Sequence, residues 1–211
     1  MTTPPPTLPD VERPPPYYDD IAACHGELWR RLRDGVGDRR SPFHTPALGT
    51  VDPHGRPQVR TVVLRGVDRA AGTLRVHTDR RAEKASEVAA ARMASLHVYD
   101  RDAKIQVRVE GTATLHTDDA VAEAAWAVAQ ASSRATYAID PGPGTAIREG
   151  GDYRLGSEAE AWDGAGAGRG NFAVVTVRAE RLEFLYLDRR GHRRALWLRS
   201  DGGWVESWLV P

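Results

Sequence analysis

Four segments between residues 60 and 111 constrain the fold more than any other part of this chain. They are RTVVLRG (60–66), VHTDRRAEK (76–84), HVYD (97–100) and IQVRVEG (105–111). The apolar alternation in these segments is typical of β-strands, and the second segment leads into a stretch rich in Ala, Glu and Lys that predicts a helix over 81–93. This order predicts a β-meander interrupted by one helix.

Basic and hydroxyl side chains gather where a strand runs into that helix. Thr78 ends the strand pattern, and Arg80, Arg81 and Lys84 follow at the helix start. Positive charge is disfavoured at a helix N-terminus, whose free N–H groups attract anions. Glu83 offsets only part of this charge, so a bound phosphate would explain the cluster. The commoner alternative is a solvated, charged helix start.

Other polar residues lie on the neighbouring strand patterns. Arg60 and Arg65 bracket an apolar strand, and long basic side chains at strand ends can converge on a phosphate through forked hydrogen bonds. Gln106 shares the polar face of IQVRVEG and could bond the edge of a heterocycle. An ordinary polar residue on a half-exposed strand is the alternative for Gln106.

These segments, together with SPFHTPALGTV at 41–51, resemble the FMN-binding split β-barrel of the pyridoxamine 5′-phosphate oxidase family. The likeness covers roughly residues 20 to 211 and is greatest to a subgroup of uncharacterised oxidase-related flavoproteins. It implies a mainly β (α+β) fold, an antiparallel FMN-binding split β-barrel with a few peripheral helices. It also implies that FMN binds between the two protomers of a homodimer.

The resemblance also implies which residues contact the flavin. Arg81 is assigned here as a replacement for an arginine of the family that is absent beside Lys84. By position, the flavin contacts correspond to Arg60, Val62, Val63, Arg65, Thr78, Arg81, Lys84, Gln106 and Arg194.

The C-terminal segments RRGHRRALWL (189–198) and GGWVESWLVP (202–211) resemble the last hairpin and the ending of the same family. The likeness implies that Arg194 reaches the flavin of the other protomer. It makes His192 and Arg190 the catalytic candidates on the substrate face, with His192 as a proton carrier. Without the resemblance, a hairpin with an exposed charged turn would be the default interpretation.

The family holds its substrate phosphate with a lysine, a tyrosine, an arginine and a serine. Here Arg65 matches the lysine and Ser133 the serine, whereas Ala125 and Ala129 stand where the tyrosine and arginine belong. Each lost contact to a charged group removes about 1.5–3 kcal/mol of binding. The sequence therefore predicts an FMN-dependent oxidoreductase that acts on a small organic molecule other than a phosphorylated pyridoxine.

The other redox partner is expected to be O2 or NAD(P)H. Two alternatives belong to different classes of protein. One is a flavin- or haem-binding carrier or sensor without turnover, and the other is a scaffold whose site has decayed.

Composition predicts one folded domain over 18–211, since 41% hydrophobic residues in 211 suffice for one core. Residues 1–17 are rich in proline and predict a disordered or polyproline II tail. A ligand for a proline-recognising domain is the alternative for that tail. The formal charge of zero argues against nucleic acid as a partner.

No early segment has the pattern of a signal peptide, and no apolar run approaches the roughly 20 residues needed to cross a bilayer. The sequence thus predicts a cytoplasmic protein without a membrane partner. A single cysteine, Cys24, excludes an internal disulfide, and the seven histidines are too scattered to predict a metal site.

The secondary structure follows from period and turn residues. Helices are predicted over 18–33, 81–93 and 118–131, a loop over 135–170, and strands over 45–51, 57–65, 73–78, 94–100, 104–116, 172–178, 181–187, 193–199 and 203–209.

Overall fold

The structure is a computed structural model that describes residues 13–157, 166 and 168–211. In this part of the chain four helices flank one nine-stranded sheet. The helices are α1 Ile21–Gly37, α2 Glu83–Ala91, α3 Ala120–Ala127 and α4 Ala131–Ala135. The strands are β1 Ala47–Val51, β2 Pro57–Thr61, β3 Leu64–Asp68, β4 Thr73–Asp79, β5 Met93–Asp100, β6 Ile105–His116, β7 Phe172–Tyr186, β8 Arg193–Ser200 and β9 Gly203–Leu209.

Every strand pairing in this sheet is antiparallel. The order is β2-β1-β5-β6-β7-β4-β3, and β8 joins β7 and β9 outside this path. β7 pairs with β6 along almost its whole length, while its first half pairs with β4 and its second half with β8. Because β4 and β8 take successive halves of one strand, the sheet divides at β7. The predicted antiparallel split β-barrel with peripheral helices is confirmed.

β6 and β7 bend together at a register shift between Glu110 and Gly111. A Cβ atom on Gly111 would lie 1.9 Å from the carbonyl oxygen of Arg178 on β7. Only glycine permits so close an approach of two backbones. The bend lets β7 leave β4 and continue into its pairing with β8.

The main core lies inside the barrel. Ile105, Val107 and Val109 of β6 are at most 1% exposed, as their alternation predicts. Helix α1 covers the core with Leu28 and Trp29, which are also buried. This packing holds the strands in place. The polar side chains of the candidate site lie on the other face of these strands and at their ends.

Two strand predictions differ from the structure. The strand predicted over 57–65 is two strands, β2 and β3, because β2 pairs with β1 whereas β3 pairs with β4, and the change of partner falls at residues 62 and 63. Conversely, the strands predicted over 172–178 and 181–187 are one continuous strand, β7. The register shift accommodates the bend within this strand.

The helix ends also differ from the prediction. α1 begins three residues later than the predicted 18–33, since the carboxylate of Asp20 caps it by accepting from the N–H of Ala23 at 2.9 Å. The helix predicted over 118–131 is two helices, of which the first is capped by Asp119. The predicted 81–93 helix is the shorter α2.

Most of the predicted tail, residues 1–12, lies outside the described residues. Tyr17, assigned to that tail, packs edge-on against Phe184 and Tyr186 with ring centroids 5.6 and 5.5 Å apart. Of the predicted loop, residues 158–165 and 167 also lie outside the described part. Among the described helices, none combines the length and apolar content required to cross a membrane.

Candidate functional site

The strand-to-helix junction brings two basic side chains together. Lys84 lies in the first turn of α2, half-buried, and Arg60 approaches it from β2. Burial, and next the charge of Arg60, lower the pKa of Lys84. Within the described residues Lys84 makes no hydrogen bond or ion pair. The N-cap residue Ala82 offers no side-chain cap either, so this corner has cationic and N–H donors ready for an anion.

Arg60 has a partner that the sequence does not reveal. Its Nη2 donates to Oε2 of Glu87 on α2 at 2.8 Å, and it also bonds the hydroxyl of Thr50 on β1. The Thr50 hydroxyl donates to the same carboxylate at 2.5 Å. Glu87 is only 3% exposed. Arg60 is therefore oriented by a buried carboxylate, whereas Lys84 makes no direct ion pair with the carboxylates that act on it from a distance, those of Asp79, Glu87 and Glu83.

The other polar residues of the junction are held by their own neighbours. Thr78 is buried at the end of β4, and its hydroxyl donates to the carbonyl of Asp79 at 3.3 Å. Arg81 makes a two-pronged pair with Asp79 at 3.0 and 2.7 Å and also donates to the carbonyl of Ile139. Asp79 thus supplies the negative charge that offsets the basic helix start. The structure turns Arg81 toward residues 137–139, and its assignment to the flavin stays a prediction.

Three further predicted contacts line the strands next to this junction. Val62 is buried at the break between β2 and β3, and Val63 is half-buried. Gln106 is half-buried on β6, opposite Tyr99 of β5 and Leu185 of β7. Its side-chain amide makes no hydrogen bond to the described residues, so it is available to a ligand.

The β7–β8 hairpin carries the predicted catalytic residues. Nδ1 of His192 accepts from the N–H of Asp188 at 3.1 Å, which leaves Nε2 to face outward. Arg190 pairs with the Asp188 carboxylate at 2.6 Å and lowers the pKa of that carboxyl group. Tyr18 braces the turn by donating to the carbonyl of Gly191 at 2.8 Å.

Arg194 is oriented by a second buried carboxylate. Glu183 on β7, 3% exposed, accepts from Arg194 at 2.9 Å and from Arg181 at 2.6 Å. Although burial opposes it, these hydrogen bonds lower the pKa of Glu183. In the described residues, no hydrogen bond or ion pair joins Arg194 or His192 to the Arg60–Lys84 corner of the same protomer.

Arg65 lies in a separate place. It lines two adjoining cavities of 230 and 540 Å³, which we call the Arg65 cleft, between β3, β4 and the α3–α4 segment. Ser133 lines both cavities, and Ala125 and Ala129 line the smaller one. The structure therefore brings together the four positions that the sequence assigns to substrate phosphate, and it separates Arg65 from Lys84.

The cleft also contains residues that the sequence does not single out. His77 borders it, and burial together with the charges of Arg65 and Arg75 lowers the pKa of His77 to about 4. Tyr137 borders the larger cavity, and burial raises its pKa to about 12. Both groups are thus neutral near pH 7. Arg39 lines both cavities, although no pattern in the sequence indicates where its side chain points.

Two other types of site are not supported. The described residues contain no group of three or more His, Cys, Asp or Glu side chains that could hold a metal ion. Cys24 is buried, and burial raises the pKa of its thiol to about 12. This thiol is therefore a poor nucleophile.

Comparison with known proteins points to one family. The profile described as "Pyridoxamine 5′-phosphate oxidase, FMN-binding domain" matches residues 27–117. A pyridoxine/pyridoxamine 5′-phosphate oxidase from Rubrobacter xylanophilus is 32% identical over 167 residues, which cover 78% of this chain and 76% of that protein. A dihydrophenazinedicarboxylate synthase from Pseudomonas chlororaphis is 27% identical over 212 residues, covering 97% and 88% of the two chains.

A solved structure shares the fold. It is a pyridoxamine 5′-phosphate oxidase-related, FMN-binding protein from Nostoc punctiforme PCC 73102, with a TM-score of 0.64 and 24% identity. The match covers 94% of this chain and 98% of the other. The fold similarity thus extends well beyond residues 27–117.

Proposed function

Because the chain belongs to the pyridoxamine 5′-phosphate oxidase family and carries its FMN-binding domain, we propose that it is an FMN-dependent oxidoreductase acting on a small organic molecule. The observation that carries this proposal is the corner formed by Arg60 and Lys84. A half-buried ammonium group without an ionic partner, beside a guanidinium and an uncapped helix start, suits a phosphate dianion.

In this proposal the chain's residues bind and orient the cofactor. FMN, when bound, supplies the redox chemistry by exchanging electrons with the substrate and with O2 or NAD(P)H. Arg60, Lys84 and Thr78 hold the phosphate, while Gln106 bonds the edge of the flavin ring. Arg194, oriented by Glu183, brings positive charge to the flavin.

The site is proposed to form between two copies of the chain. A shallow groove of 410 Å³ crosses β1, β2, β5 and β6 and includes Thr50, which bonds Arg60. Val51, Val59 and Met93, which line this groove, are 42%, 72% and 48% exposed. A second copy on this face would cover apolar surface that is unfavourable in water. It would also explain why Arg194 and His192 do not meet the Arg60–Lys84 corner within one protomer.

On the substrate face, His192 and Arg190 are the proposed catalytic residues. The N–H of Asp188 occupies Nδ1 of His192, so Nε2 is the atom that would give or take a proton. Ser133 and Arg65 of the cleft contact the substrate. Since Ala125 and Ala129 lack the polar groups of the family's phosphate clamp, a phosphorylated pyridoxine is not the substrate we propose.

The loss of those two groups also favours a second candidate, a flavin- or haem-binding carrier or sensor without turnover. The two functions differ in whether bound flavin changes redox state with a substrate. Reduction of the bound flavin by NAD(P)H, or O2 uptake with a substrate, would identify the enzyme. Flavin that stays oxidised with every electron donor and candidate substrate tested would favour the carrier.

The binding test is an absorbance spectrum of the purified protein, followed by titration of the flavin-free form with FMN. We expect Arg60→Ala combined with Lys84→Ala to weaken FMN binding by about 100-fold or more, since each charged hydrogen bond contributes about 1.5–3 kcal/mol. Arg33→Ala, which removes an exposed arginine from α1, is the matched control. Unchanged FMN affinity in the double variant would refute the phosphate assignment.

A further inference from the structure

The Arg65 cleft has alanine at the two positions where the family has a tyrosine and an arginine. The fold nevertheless brings another tyrosine and another arginine to the same cleft. Ala125 and Ala129 on the α3 side present only methyl groups to the smaller cavity. On other walls of the same cleft lie a guanidinium and a phenol, from Arg39 and Tyr137. These are the two chemical groups that the alanine positions lack.

The turn that carries Arg39 is tightly held. It connects α1 to a short 3₁₀ turn at 42–44, and a Cβ atom on Gly35 would lie 2.6 Å from the Cβ of Phe43. Nδ1 of His44 lies 2.7 Å from the carbonyl oxygen of Gly35 and donates to it. Because the two ends of the turn are locked together, the backbone at Arg39 is fixed beside the cleft.

Tyr137 is held just as firmly. Its ring packs edge-on against Phe172 and Trp126, at centroid distances of 5.0 and 6.1 Å. Its carbonyl oxygen accepts from the side-chain amide of Asn171 at 2.8 Å. The hydroxyl makes no hydrogen bond to the described residues, and the charge of Arg65 acts on it. The phenol is thus a free donor near Arg65.

The charged side chains that line the Arg65 cleft are all positive. Arg39 and Arg65 make no hydrogen bond or ion pair with the described residues, and no lining residue of either cavity is an aspartate or glutamate. Both arginines are exposed, so solvent screens their mutual repulsion, and an anion in the cleft could be reached by either guanidinium group. Ser133 adds a neutral donor in the same place.

We propose that the Arg65 cleft is a rebuilt anion site, in which Arg39 and Tyr137 join Arg65 and Ser133 to hold the oxyanion group of the substrate. Arg39 is then a specificity-determining residue. The group recognised is a phosphate monoester or a carboxylate on a small molecule, held by contacts placed differently from the family's clamp for phosphorylated pyridoxine. Its place beside a flavin rests on the function proposed above, whereas anion binding in the cleft can be measured without turnover.

The test is calorimetric titration of the FMN-loaded protein with phenyl phosphate and with benzoate, which differ only in the anion. We expect Arg39→Gln to weaken binding of the preferred probe by about tenfold or more, and Tyr137→Phe by about threefold to tenfold. Arg40→Gln is the matched control, because Arg40 is an exposed neighbour outside the lining. It should bind like the wild type.

The two probes separate the two sources of the anion. Tighter binding of phenyl phosphate identifies a phosphate ester, and tighter binding of benzoate identifies a carboxylate. The proposal is overturned if neither probe binds, or if Arg39→Gln binds both like Arg40→Gln. If the purified protein takes up no FMN, the same titrations are carried out on the flavin-free Arg60→Ala, Lys84→Ala variant. Anion binding in that variant then reports on the cleft and not on the Arg60–Lys84 corner. The cleft and the flavin assignment therefore fail independently.

Discussion

Arg60 and Glu87 form an ion pair at 2.8 Å in which the carboxylate side chain is 3% exposed and the arginine side chain 22%. Helix α2 thus brings its own anion to the corner where its first turn presents Lys84. Glu87 pairs directly with one of two neighbouring cations, whereas Lys84 is influenced by Asp79, Glu87 and Glu83 without a direct ion pair. A phosphate at this corner would give Lys84 the direct anionic partner that the described residues do not supply.

Replacing Glu87 with Gln removes this internal anion and keeps the side-chain shape. We expect the flavin-free protein to lose about 1–3 kcal/mol of stability, because Arg60 then loses its direct ion-pair partner and Lys84 loses one of the three carboxylates that act on it. FMN should restore more of that loss than in the wild type, since its phosphate supplies the missing charge. Thermal denaturation with and without FMN measures both effects.

Glu83 provides the control for this experiment. It lies on the same helix, also in the first turn, but it is exposed. Its charge acts on Lys84 less than that of Glu87 does, and it does not pair with Arg60, so Glu83→Gln should show a gain in Tm on adding FMN much closer to that of the wild type. An equal gain in Glu87→Gln and Glu83→Gln would contradict the charge balance inferred for the corner.

His77 predicts a loss of stability in acid. Burial is the largest cause that lowers its pKa from 6.5 to about 4. As pH falls from 6.5 to 4, the unfolded chain takes up a proton that the folded protein refuses, so the free energy of unfolding decreases. The full difference between the unfolded and folded pKa of His77 corresponds to about 3 kcal/mol.

Urea denaturation across this pH range should show a shallower pH dependence of stability in His77→Gln. The variant His54→Gln, which changes an exposed histidine, should keep the wild-type dependence. An unaltered slope in His77→Gln would refute the assignment.

The strands were largely predictable because alternation records which face is buried. β6 is one example, with buried Ile105, Val107 and Val109. The break between β2 and β3 was not predictable, since it depends on a change of partner strand from β1 to β4. Nothing local in RTVVLRG distinguishes a continuous strand from an interrupted one.

Some residues of the candidate site could be predicted from the sequence, and others could not. The sequence indicates Arg60 and Lys84 through their positions at a strand and a helix start, and the structure brings them together. Glu87 reads as a solvent-facing helix residue, and only the packing of α2 reveals that it is buried. Arg39 and Tyr137 reach the Arg65 cleft from segments distant in sequence. Such non-local convergence leaves no periodic signal.

Substitution of Gly111 is expected to destabilise the fold strongly. Gly111→Ala would place a methyl group 1.9 Å from the carbonyl oxygen of Arg178, so the two central strands would have to separate. We expect a loss of about 3 kcal/mol or more in urea denaturation, at the upper end of overpacking effects. Gly26→Ala is the contrasting substitution, because nothing lies within 4 Å of its added Cβ in helix α1. It should stabilise the protein by up to about 1 kcal/mol. Similar stabilities for the two variants would contradict the close approach of β6 and β7.

Tyr18 is expected to hold the turn of the β7–β8 hairpin in place. Its hydroxyl donates to the carbonyl of Gly191, and the Arg193 guanidinium lies 3.9 Å from its ring centroid. Tyr18→Ala removes both contacts, so we expect the turn at 188–192 to open more often and trypsin to cleave faster after Arg189. Tyr18→Phe keeps the ring and should show a smaller increase. Tyr153→Ala, which removes an exposed tyrosine elsewhere, should be cleaved at the wild-type rate. Equal cleavage rates in Tyr18→Ala and Tyr153→Ala would show that the hairpin holds its shape without this brace.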